Sequence, residues 1–202
     1  MANSTTPFSL RPVRKKDGSP WNGATRKMFV AAADSVAIYL GDLVKYATMV
    51  TTDNTRNLPT VARYAAGDTQ VAGVVVAVEP VEGIAVGSIN LNRLHRAAST
   101  ASIVHVIDDP NVVFEIRCDN GGAALAGADV MENADIVATA GNAITGVGAE
   151  VLDSSTHATT ATLPLRIIDF SPRVDNTPAS NDTVALVVLN TLPDRTVTGL
   201  AL

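Results

Sequence analysis

The chain has 202 residues, 47% of them hydrophobic, and a formal charge of −5. Length and apolar content together support a sizeable core in one large domain, with or without an extension. Charged residues make up only 17%, below the usual quarter, and the acidic balance argues against nucleic acid as the main ligand, because such a footprint is ordinarily basic.

The charge is unevenly placed. Residues 1–30 carry Arg11, Arg14, Lys15, Lys16, Arg26 and Lys27 against Asp17 alone, a net +5, so the remainder carries −10. The same segment holds Phe8, Trp21 and Phe29, three of the eight aromatic residues. Pro7, Pro12 and Pro20 block a regular helix, and the turn dipeptides Asp17-Gly18 and Asn22-Gly23 interrupt any strand. Residues 1–27 are therefore expected to form an extended arm. No secretory signal is expected, because this segment lacks an apolar core and a small-residue cleavage site.

From residue 28 the text turns β-like. "MFVAA" (28–32) reads as a short strand, followed by "GDLVKYA" (41–47) and "PTVARYA" (59–65). "VAGVVVAVEP" (71–80) is a β-branched run of the kind buried on both faces. "SIVHVIDDP" (102–110) and "NVVFEIRCDNGG" (111–122) alternate, with Val104, Val106, Phe114 and Ile116 on the expected inward faces. The Asp108-Asp109-Pro110-Asn111 turn between them predicts an antiparallel hairpin. Residues 123–139 read as one helical turn and then a strand at "ADIVAT". Residues 141–153 read as a glycine-rich loop and a short strand. "TLPLRIIDFSP" (162–172) and "TVALVVLN" (183–190) are further strands, and 193–202 is a tail with an apolar end. Turn signals recur at the ~8–12-residue spacing of a sandwich or barrel. The reading is an all-β body, a compact β-barrel or β-sandwich of short strands over 28–192, with an extended N-terminal arm at 1–27 and a tail at 193–202.

No chemistry stands out. His95, His105 and His157 are scattered, and none is spaced with Cys118 as a zinc set. Cys118 shares an apolar strand face with Phe114 and Ile116, as a buried structural thiol does. A lone cysteine permits no intramolecular disulfide and fits synthesis in a reducing cytoplasm. "GNAITGVG" (141–148) lacks the Gly-Lys-Ser/Thr ending of a phosphate loop. Acid pairs Asp108/Asp109, Glu79/Glu82 and Glu132/Asp135 lack the pattern of an EF-type calcium loop. No run reaches the ~18 apolar residues of a membrane span. No catalytic residue, metal or cofactor is expected, nor direct contact with nucleic acid or membrane.

Four stretches carry a resemblance: "FSLRPVRKKDGSPWNGATRKMFV", "GDLVKY", "LHRAASTASIVHVIDDPNVVFEIRCDNGG" and "LDSSTHATTATLPLRIIDFSPRVDN". Together they span most of the chain, and they resemble the head decoration (cement) proteins of tailed bacteriophages. The resemblance implies a non-enzymatic virion protein made in the bacterial host cytoplasm and seated on the outer capsid surface. It implies the major capsid protein as partner and a homo-oligomer, with a trimer favoured. Aromatics and arginines dominate interface hot spots, so the expected capsid contacts are Phe8, Arg11, Arg14, Lys15, Lys16, Trp21, Arg26 and Lys27. Two other readings stay open: another virion component, such as a tail or head–tail connector protein, and a β-fold hydrolase.

Overall fold

The run Val184–Leu189 is apolar at every position, and every one of its side chains is buried. A strand of this kind needs partners on both faces and both edges. The computed structural model, which describes residues 3–47, 57–79 and 94–193, places it at the centre of a five-stranded antiparallel sheet. The elements in chain order are β1 (Arg11–Lys15), β2 (Arg26–Val30), β3 (Leu43–Tyr46), β4 (Val61–Arg63), β5 (Gly73–Val78), β6 (Ser102–Ile107), β7 (Val112–Arg117), a 3-10 turn (Gly127–Asp129), β8 (Asn133–Ala134), β9 (Ile136–Val137), β10 (Val151–Leu152), β11 (Leu165–Phe170) and β12 (Val184–Leu189). The sheet around β12 has the order β1-β7-β12-β11-β8, a second has the order β2-β6-β5-β3-β4, and β9 and β10 form a two-stranded ribbon. Over the described residues the body is all-β and sandwich-like, with no closed barrel.

Alternation along each strand decides what it buries. In β7, Phe114 and Ile116 enter the main core with Cys118 just beyond the strand, and Val113 joins Leu186 and Val188 on the far face. The second sheet supplies Leu43, Val74 and Ile107 to that same main core. Its other face encloses a separate cluster of Met28, Val30, Val44, Val61, Val75, Val104 and Val106. The sheet rolls around this cluster until its two edges touch at one parallel bridge, Phe29 to Thr60, with the Phe29 N–H donating to the Pro59 carbonyl at 2.8 Å. Valine suits the inside of so tight a roll because its short branched side chain fills space without reaching across. Gly73 is required where β5 meets β6: at φ +149°, a Cβ there would sit 2.2 Å from the Ile107 carbonyl oxygen.

Two expectations are corrected. The segment 102–118 is no hairpin. β6 has both edges filled by β2 and β5, and β7 has both filled by β1 and β12. The Asp108-Asp109-Pro110-Asn111 connection is a corner that carries the chain from one sheet to the other. The four apolar positions are all buried, but Val104 and Val106 lie in the rolled cluster while Phe114 and Ile116 lie in the main core.

Nor do residues 11–27 stand off as an extended arm. β1 is the edge strand beside β7, and β2 begins at Arg26 beside β6. Ser9 and Leu10 are buried. Even Asn3 is tied down, its side chain donating to the carbonyls of Thr177 (3.1 Å) and Asn181 (2.8 Å) and accepting from the Thr177 N–H. Pro12 is tolerated because edge strands and bulges spare a missing donor, and the register shifts between Pro12 and Arg14. The tail expected from 193 lies, after Pro193, outside the described residues.

Candidate functional site

β1 and β2 run along the two sides of the β6–β7 corner, and this placement explains the basic head. Lys15 Nζ lies 3.1 Å from Asp109 and Arg26 Nη1 lies 3.6 Å from Asp108, so the corner's two acids meet one cation from each strand. Lys27 pairs with Glu79 at 2.5 Å. The Lys16 backbone N–H donates to the Asn111 carbonyl at 2.8 Å. Among the described residues, Arg14 donates to the Lys15 carbonyl, at 3.2 Å. The acidic surface that the head was expected to find on a partner is partly on its own chain.

The expected contact residues therefore divide. Phe8, Arg11 and Trp21 come together and line an open groove of about 470 Å³, with Leu10, Pro12, Leu40, Val75, Val76, Val147 and His105 among its walls. Arg14, Lys15, Lys16, Arg26 and Lys27 are not in it. The Arg11 guanidinium sits over the Phe8 ring, 4.6 Å from its centre, a cation–π contact that holds the arginine at the rim. Trp21 packs on the main core, yet its buried Nε1 has no hydrogen-bond acceptor among the described residues. An unmet indole N–H costs free energy unless something accepts from it.

Burial pushes the Cys118 thiol up to about 12, so no useful thiolate exists near neutrality. In the glycine loop, Gly146 N–H donates to the Asn142 carbonyl and Gly148 N–H to the Leu40 carbonyl, both at 2.8 Å. These groups are turned to the protein and away from any phosphate. His95 stacks on Tyr39 with ring centres 4.9 Å apart. His105 lies 3.4 Å from Thr25 Oγ1 and 3.2 Å from Glu79. This has the outline of a nucleophile–base–acid set, but Glu79 also binds Lys27.

Sequence reasoning missed a buried charge cluster. Asp42 and Glu150 are fully buried and share one guanidinium, with Arg63 Nε 3.3 Å from Asp42 Oδ2 and 3.2 Å from Glu150 Oε1. Asp42 also accepts from the Tyr39 N–H at 2.9 Å, and Glu150 from the Leu43 N–H at 2.9 Å. Burial raises both carboxyls, Asp42 to about 6. Their only sequence signal is acidic residues set in apolar text. With the geometry in hand, comparison with known families, curated proteins and solved structures finds no match.

Proposed function

We propose that this protein is a structural component of a tailed-phage virion, a decoration (cement) protein that binds the outer face of the capsid and bridges major capsid protein subunits. The observation that favours this reading is the groove of Phe8, Arg11 and Trp21. Tryptophan and arginine are the residue types that dominate interface energetics, and here they flank an apolar concavity with an unsatisfied indole donor. A capsid segment laid in the groove buries apolar surface against the rings of Phe8 and Trp21 and can offer an acidic group to Arg11. The body around it is low in charge, as suits close contact with neighbours. Self-association, with a trimer favoured, adds avidity, since one docked copy holds its partners close to the shell. Stabilising a shell in this way needs no bond-breaking chemistry and no cofactor.

The test is co-sedimentation of the purified chain with undecorated shells. Wild type should bind at a copy number comparable to that of the capsid protein. Trp21→Ala should weaken binding by at least thirtyfold, the scale of a hot spot worth about 2 kcal/mol, while remaining folded by circular dichroism. Decoration unaffected by Trp21→Ala removes the groove from the interface. Co-purification with tails in place of heads replaces the cement role by a tail or connector role.

A further inference from the structure

We propose that Asp129, Glu132 and His157 form a binding site for one divalent transition-metal ion of the zinc type. The three residues come from three places in the chain. Asp129 ends the 3-10 turn, Glu132 directly precedes β8, and His157 lies in the loop after β10. The backbone fixes their meeting. Asn133 and Ala158 exchange reciprocal N–H to carbonyl hydrogen bonds of 2.8 Å, which sets Glu132 beside His157. The Glu132 N–H donates to the Asp129 carbonyl at 3.1 Å, and the Ile167 N–H donates to the Glu132 carbonyl at 2.9 Å, locking the pair to β11.

The donor atoms fit one ion. His157 Nδ1 lies 2.7 Å from Glu132 Oε2 and 3.8 Å from Asp129 Oδ1, and one ligand atom from each residue lies within 4.8 Å of the others. Zinc holds nitrogen and carboxylate oxygen at about 2.0–2.2 Å, which separates neighbouring ligands by about 3.0–3.6 Å. The 2.7 and 3.8 Å separations of His157 from Glu132 and Asp129 bracket that range. Among the described residues this is the single cluster of three or more such side chains. One imidazole nitrogen with two carboxylates selects zinc, cobalt, nickel or manganese over calcium and magnesium, which prefer all-oxygen shells. Side-chain exposures of 26%, 18% and 29% leave room for water as a fourth ligand. An ion here ties the loop bearing His157 to the edge of the main sheet, independently of any capsid role.

The experiment uses the full chain after dialysis against a chelator. Titration calorimetry with zinc should show one ion per chain with a Kd in the micromolar range. Cobalt should give the visible absorption of a low-coordinate nitrogen–oxygen site. The melting temperature should rise by about 5–10 °C at free zinc one hundred times Kd. His157→Gln and Glu132→Gln should each weaken zinc at least tenfold. His105→Gln, which removes the histidine–carboxylate contact at the groove, should leave binding intact. The proposal is overturned by the absence of stoichiometric zinc binding, by full binding in both ligand variants, by loss of binding in His105→Gln, or by calcium binding more tightly than zinc.

Discussion

Replacing Arg63 by methionine isolates the buried charge cluster. The change keeps much of the side-chain volume and removes the guanidinium that Asp42 and Glu150, both 0% exposed, share. In the wild type, burial already lifts Asp42 from 3.8 to about 6. A carboxyl whose folded value exceeds its unfolded value holds a proton in the native state that the unfolded chain has released. Stability is therefore greatest below the unfolded value and falls as pH rises through a window of about 4 to 6, by about 3 kcal/mol for Asp42 alone. Glu150 shifts the same way, raised first by burial and then by Asp42 itself. Without Arg63 both carboxyls rise further. At pH 7.5 the variant leaves buried acids without their partner, a loss of about 3–5 kcal/mol. At pH 5 Asp42 is largely protonated, and the loss shrinks toward the missing hydrogen bonds, about 1–2 kcal/mol. The assay is urea unfolding at both pH values, comparing midpoints at constant slope. An equal deficit at pH 5 and pH 7.5 refutes the reasoning, because it means that the carboxylates are not held ionised against the guanidinium.

Two further outcomes follow from the same packing. Phe114 is fully buried in the main core, so Phe114→Ala should cost about 3–5 kcal/mol in urea unfolding; a loss below 1 kcal/mol would place the ring outside the core. Association with shells should slow as ionic strength rises, because charges are screened over about 10 Å at 0.1 M salt. With Lys15, Arg26 and Lys27 paired within the chain, the doubly neutralised Arg11→Gln, Arg14→Gln protein should lose most of that salt dependence, and a rate unchanged by its loss excludes these arginines from steering.

Deleting residues 1–27 would not separate binding from folding. The deletion removes edge strand β1, the buried Ser9 and Leu10, and Arg26 and Lys27 at the start of β2. The groove variants test the same surface without dismantling a sheet.

What the sequence determined is local. Alternation in "NVVFEIRC" set Phe114, Ile116 and Cys118 against Val113, Glu115 and Arg117, and the structure keeps that division, because successive side chains on a strand must point to opposite faces. The β-branched run at 71–80, read as a strand buried on both faces, is a strand over 73–78, but its far end opens to solvent, with Ala77 exposed and Val76 and Val78 half-buried. The aromatic and basic residues of the head were also legible as residue types. What only the tertiary structure decided is who pairs with whom. The Asp108–Asn111 turn is compatible with a hairpin or a corner, and the choice fell to β1, β2, β5 and β12, which occupy the edges of β6 and β7. Whether the +5 head serves a partner or its own chain depended on where Asp108, Asp109 and Glu79 came to lie. The meetings of Asp42, Arg63 and Glu150, and of Asp129, Glu132 and His157, join residues up to 108 positions apart. Period and propensity act over a few residues, whereas these contacts exist only once two sheets have closed on a shared core.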